Sequence, residues 1–117
     1  MATERTDLPQ GTMELLVLQI LSHAPMHGWG ITQRIEQLSA QALQVNQGTL
    51  YPALERIKRK GWIRSEWRIT ENNRRARYYE LTPAGRRQLV VERAAWERSS
   101  GAVNGILRWA PEAGGAR

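Results

Sequence analysis

The chain has 117 residues, room for one domain and a short appended element, and it contains no cysteine, which excludes disulfides, thiolate metal sites and cysteine nucleophiles. An apolar share of 41% allows a small core, while the longest apolar run near the start, at 15–18, is far short of the roughly 20 residues of a membrane span. The net charge of +6 is unevenly spread: residues 56–87 hold eleven basic and three acidic residues, a balance of +8, whereas residues 1–55 sum to −3.

Charge gathered into one short stretch is the footprint of a polyanion partner, although a charge run alone is more often a solvated face. The first ten residues carry acids and no apolar stretch, unlike a secretory signal, so a cytoplasmic protein is expected. They read as a loose arm, 1–10, ending at Pro9. From Thr12, an N-cap candidate, Met13, Leu16, Val17, Ile20 and Leu21 recur at helical spacing and predict a helix of about three turns. Ala24-Pro25-Met26-His27-Gly28 stops it. Ile31, Ile35 and Leu38 form a second stripe, and Leu50, Leu54 and Ile57 a third, introduced by the cap residue Asn46. Pro52 is harmless only in a first turn, which places the start of this third helix near 46–49. Gly61 ends it as a left-handed residue behind Lys58, Arg59 and Lys60, whose charge suits a helix C-terminus.

The periodicity then changes. Trp62, Ile63, Ser65, Trp67 and Ile69 suit a strand, and so does the run 77–82 with Tyr78 and Tyr79. Asn72-Asn73 supplies a turn between them, so the pair reads as a hairpin with Arg74 and Arg75 at its tip. Thr82-Pro83 opens a last helix, in which Leu89, Trp96 and Val103 fall seven apart with Leu107 four further on. Arg93, Ser100, Gly101 and Gly105 make that pattern imperfect, and the tail at 111–117 reads as frayed. The expected architecture is mainly α with a small β-hairpin, an α+β winged helix-turn-helix domain over 11–82 followed by a dimerisation helix over 83–110.

In that architecture the third helix enters the major groove of double-stranded DNA. Gln47 and Arg56 are residue types that read base edges, Thr49 and Tyr51 carry hydroxyls beside a helix N-terminus that favours phosphate, and Pro52 lies on the same outer side. Arg74, Arg75 and Arg77 are the wing's candidates for phosphate or minor-groove contact. Each has a plainer alternative. Tyr51 could cap the core with its ring, Arg59 and Lys60 could only complement the helix end, and Arg77 could pair with Glu66 or Glu71 across the strands. Trp29, Trp62 and Trp67 are expected in core packing, and His27 in a structural hydrogen bond. His23 and His27 are too few for a metal site, and no cofactor is expected. Gly28-Trp29-Gly30 is too short for a dinucleotide fingerprint, and neither a nucleophile elbow nor a phosphate-binding loop is present, so an enzyme is not expected.

The segments His27-Gly28-Trp29-Gly30-Ile31, Gln47-Gly48-Thr49-Leu50-Tyr51-Pro52-Ala53-Leu54, Lys60-Gly61-Trp62-Ile63 and Tyr78-Tyr79-x-Leu81-Thr82-x-x-Gly85-Arg86 stand in an order and at spacings that resemble the PadR family of bacterial transcriptional regulators. The stretch 71–79 resembles the wing of an acidobacterial PadR-like subgroup, and the short run after Thr82 resembles the family's short C-terminal version. The resemblance implies a homodimer that represses genes at palindromic operators and releases DNA on binding an effector. So small a monomer could not bury Leu89, Trp96, Val103 and Leu107 of the last helix, and pairing with a second copy is the economical way to cover them; Trp96 either packs in that interface or, as one branch of the family implies, stacks on a small aromatic effector. The alternative kept open is a winged-helix module that binds protein or RNA without operator specificity.

Overall fold

The computed structural model describes residues 6–7 and 11–111; apart from Thr6, Asp7 and Pro111, the expected arm at 1–10 and tail at 111–117 lie outside the described residues. In chain order the elements are β1 (Thr6–Asp7), α1 (Met13–Leu21), β2 (Met26–His27), α2 (Gly28–Leu38), β3 (Leu43–Gln44), α3 (Gln47–Arg59), β4 (Ile63–Ile69), β5 (Arg75–Leu81) and α4 (Pro83–Leu107). A three-stranded antiparallel sheet runs β2-β5-β4, and β1 lies parallel to β3. The strands β2 and β3 have no sequence signature, because two residues cannot display an alternation. They are strands only because β5 and β1 lie beside them.

The three apolar stripes converge as expected. Val17, Leu18 and Leu21 of α1, Ile31 of α2, and Leu50, Leu54 and Ile57 of α3 are fully buried, and Ile63 of β4 closes the base of the hairpin over them. Leu38 is a correction. It is 69% exposed, because α2 ends there and its last turn runs past the edge of the core.

Local chemistry fixes the helix ends. The His27 Nδ1 accepts the Gly30 N–H at 2.9 Å and starts α2, the structural role expected of it. Asn46 starts α3, its Oδ1 accepting the Gly48 N–H at 2.7 Å. That start places Pro52 in the second turn of α3 rather than the first, so it has no N–H to give the Gly48 carbonyl. Gly48 is exposed, and water can serve that carbonyl instead. At the other end Gly61 takes φ +80°, the Gly61 N–H donates to the Lys58 carbonyl and the Trp62 N–H to the Ile57 carbonyl. This pair of bonds is the glycine-terminated helix stop that the sequence announces.

The Thr82 Oγ1 accepts the Gly85 N–H at 3.0 Å and donates to the Gly61 carbonyl at 2.6 Å, which ties the start of α4 to the end of α3. Only Gly85 and Leu89 of α4 are buried. The remainder leaves the domain, which gives a molecule of 67 × 39 × 22 Å and a radius of gyration of 17.9 Å, against about 13 Å for a compact chain of this length. Leu89 is therefore a second correction. At 8% exposure it belongs to the chain's own core and not to an interface with another copy. Trp96, Val103 and Leu107 remain exposed along one continuous helix, which ends at Leu107 rather than at 110.

Candidate nucleic-acid interface

With Leu50, Ala53, Leu54 and Ile57 turned inward, α3 presents Gly48, Thr49, Tyr51, Pro52, Glu55, Arg56 and Arg59 to solvent. The first turn is less open to a phosphate than its position suggests. The Gly48 N–H is taken by its cap, and the Thr49 and Leu50 N–H groups both donate to the Asn46 carbonyl, at 3.0 and 2.9 Å. What Thr49 offers outward is its hydroxyl.

Gln47 stands differently from the expectation. Its Nε2 donates to the Thr32 Oγ1 at 2.6 Å, and Thr32 is buried, so the amide is a strut between α2 and α3 rather than a free reader of base edges. The helical angle explains it: Gln47 lies on the flank of α3 that faces α2, not on the outer strip. Arg56 lies at the far edge of the outer strip, with its Nε 3.4 Å from Glu14 Oε2 of α1. The Arg56 side chain is open to solvent although Glu14 is more covered, and a pair of this kind near the surface is worth about 1 kcal/mol, so Arg56 can be drawn off by a stronger anion. Tyr51 does what its plainer alternative describes while staying partly open to solvent. Its ring lies against Gly28 at the start of α2, yet the residue is 45% exposed.

The hairpin is closed by the turn at 70–74, where the Thr70 N–H donates to the Arg74 carbonyl at 2.7 Å and Asn73 takes φ +59°. Arg74 is exposed in that turn, and Arg75 begins β5. Arg77 pairs with neither Glu66 nor Glu71. In the register it stands opposite Trp67, its Nε donates to the Ser65 Oγ at 3.0 Å, and its guanidinium lies over the Trp67 ring. Glu66 points to the other face of the sheet, where its Oε1 accepts from Arg68.

Tyr79 joins helix and wing. Burial pushes its phenol above the ordinary value, helped by Tyr51 and Glu55 of α3 and opposed by the Arg77 guanidinium. Tyr51 and Glu55 of α3 and Arg77 of β5 thus all lie near enough to act on one phenol, so the outer strip of α3 and the inner face of the wing approach each other at Tyr79. Thr49, Tyr51, Pro52 and Arg56 belong to that strip, Arg75 and Arg77 to the wing face, and Arg74 to the tip. Trp96, Val103 and Leu107 lie apart, on α4.

Two residues in this region were not singled out from the sequence for nucleic-acid contact. Glu55 is a carboxylate on the outer strip of α3, four residues from both Tyr51 and Arg59, a spacing that marks it as their neighbour. Trp67 corrects the expectation of core packing: it is 55% exposed, as Trp29 is at 59%, while Trp62 does pack against the core. Strand alternation places Trp67 on the same face as Ile63, but cannot say that the helices end before reaching it.

Among the described residues, no group of three or more histidines and acids is arranged to hold a metal ion, and no helix is long and apolar enough to cross a membrane. A hollow of about 540 Å³ lies between α1 and α4, lined by Leu15, Leu16, Gln19, Leu43, Arg93 and Trp96 among others.

Comparison with known proteins bears on this geometry directly. The model of the transcriptional regulator PadR-like family matches residues 17–91. A transcriptional regulator of Mycobacterium tuberculosis is 41% identical over 91 residues, which cover 75% of this chain and 81% of the relative. A solved transcriptional regulator from Clostridium thermocellum superposes with a TM-score of 0.77 at 24% identity, over 85% of this chain and 96% of that one, a likeness of fold. A PadR family transcription regulator from Clostridium difficile gives a TM-score of 0.69 at 26% identity, over 83% and 99%.

Proposed function

The chain belongs to the PadR-like family of transcriptional regulators, a family of DNA-binding regulators rather than enzymes, and from that premise we propose that it is a homodimeric repressor of a palindromic operator. The observation that carries the reading is the exposed strip of α3, with Thr49, Tyr51, Pro52 and Arg56, together with a wing face on which Arg75 and Arg77 stand without a carboxylate partner among the described residues. Thr49, Tyr51, Pro52 and Arg56 meet the major groove, and Arg74, Arg75 and Arg77 meet the backbone or the adjacent minor groove. Gln47 acts indirectly, by holding α3 at its angle to α2.

Residues 11–82 form the DNA-binding unit and α4 the dimerisation element. Val103, Ile106 and Leu107 lie exposed on α4 and Trp109 lies just beyond its end, and an apolar stripe of this kind is covered most economically by the same stripe of a second copy. Such a pair would set its two α3 helices about 34 Å apart, one turn of DNA. The hollow beside Trp96 has an apolar lining and suits a flat aromatic effector, whose binding would shift α4 against α1 and with it the spacing of the two α3 helices.

Selection from a random duplex pool, followed by gel shifts at graded salt, tests the reading. A selected palindrome, bound far more tightly than random DNA and with a steep salt dependence, is the expected result. Equal binding of single-stranded RNA, or no enrichment of any duplex, would overturn it in favour of a protein- or RNA-binding module. For the effector, loss of ligand-dependent quenching in Trp96→Ala is expected; unchanged affinity for every ligand would remove Trp96 from the site.

A further inference from the structure

The two faces of the wing are electrostatically unlike. On the outer face each guanidinium meets a carboxylate: Arg64 Nε lies 3.0 Å from Glu80 Oε1, and Arg68 Nη2 lies 2.5 Å from Glu66 Oε1. On the inner face, the one that begins with Ile63, Leu81 and Tyr79 in the core, the register continues with Trp67 opposite Arg77 and Ile69 opposite Arg75. Arg75 and Arg77 lie 4.9 and 5.3 Å from the centroid of the Trp67 ring, and among the described residues neither has a carboxylate within ion-pair distance.

An indole half out in water, past the end of the core, contributes little to folding. What it contacts are two cations. A guanidinium resting on an aromatic ring keeps N–H groups at its edge free to donate, the terminal ones in Arg77, whose Nε is given to the Ser65 Oγ, and has less rotamer freedom to give up when an anion arrives. Two like charges held over one ring also repel each other, and an anion relieves that repulsion.

We propose that Trp67 is a positioning residue for DNA binding, its ring holding Arg75 and Arg77 as a preorganised pair of guanidiniums for the phosphate backbone of the operator. This rests on the reading that the wing meets duplex DNA. Trp67 itself makes no base contact in this arrangement; it acts through the two arginines. The paired outer face, with its charges neutralised within the sheet, is left facing away from the nucleic acid.

The test measures affinity for the duplex selected by the wild-type protein, over a range of salt, for Trp67→Leu, Trp67→Phe, the Arg75→Ala/Arg77→Ala double variant and the triple variant that adds Trp67→Leu to it. Trp67→Leu is expected to weaken binding by about three- to thirtyfold, the span of a cation–π contact of moderate strength. It should also flatten the salt dependence although no charge has been removed. Trp67→Phe should restore most of both, and Trp67→Leu should have little further effect once the two arginines are gone. An equal loss in both backgrounds, an unaltered salt slope or no rescue by Phe would overturn the positioning role while leaving the wing's contact with DNA intact. A double arginine variant that binds with wild-type affinity and slope would instead overturn the wing contact, and the inference with it.

Discussion

Gly85 sits where the first turn of α4 crosses the end of α3 so closely that a Cβ would run into the Trp62 carbonyl oxygen and come within 2.7 Å of the Leu81 Cδ1. The carbonyl is backbone, already held by the Thr82 N–H, and has nowhere to retreat. Gly85→Ala is therefore expected to destabilise the fold by about 1–3 kcal/mol, the cost of overpacking, and thermal melting would read it as a clear fall in Tm. Tyr79 gives a second test at this scale. Its phenol is held above the ordinary value of 10.0 chiefly by burial, with Tyr51 and Glu55 adding to the effect. Below pH 10 the phenol is neutral in both states. Above it the unfolded chain ionises first and draws the equilibrium its way, so stability should fall by up to about 1.4 kcal/mol per pH unit until the folded phenol also ionises. Urea midpoints measured from about pH 8 to 11 should show that fall in the wild type and a shallower one in Tyr79→Phe.

Among the elements, α3 depends on its cap and the wing on its charge. Asn46 supplies the side-chain acceptor for the Gly48 N–H and, through its carbonyl, the first backbone bonds of α3. Asn46→Ala removes only the former, and the expected cost is about 1 kcal/mol of folding stability, read as a lowered denaturation midpoint. The wing is expected to answer to salt instead. Arg74→Ala with Arg75→Ala should weaken binding to all duplex sequences alike and lower the slope of log affinity against log salt by about 0.9 for each phosphate that is no longer neutralised. Gel shifts at four or five salt concentrations would measure it, and an unchanged slope would remove Arg74 and Arg75 from the contact. Most of this element-scale account was legible in the sequence. Leu50, Leu54 and Ile57 mark the inner side of α3, and Gly61 marks its end. Less legible was Gln47, whose amide has a partner fifteen residues away in Thr32, a pairing that exists only once α2 and α3 have packed.

At the scale of the molecule, α4 divides at Leu89. Before that point it belongs to the core, and beyond it the helix carries Trp96, Val103 and Leu107 into solvent. A chain cut at residue 88 would lose a core side chain together with the proposed interface and could not separate the two effects. A cut after Glu97 keeps Leu89 and the residues that line the hollow against α1, and removes only the projecting part. Light scattering is expected to find the full chain dimeric and the shortened chain monomeric, with weakened binding to the selected palindrome. A dimer that persists in the shortened chain would place the interface elsewhere.

The helices, the hairpin, their order and the family they announce were set by the sequence itself, because each rests on local chemistry: a stripe every three or four residues, a cap, a glycine stop, a turn dipeptide. Packing alone decided the rest. Whether Leu89 faces the core or a partner, whether Gln47 is free or acts as a strut, and whether Trp67 is covered or stacks two arginines all depend on how far one element extends over another. Periodicity reports which face a side chain is on, but not where along that face the covering layer stops.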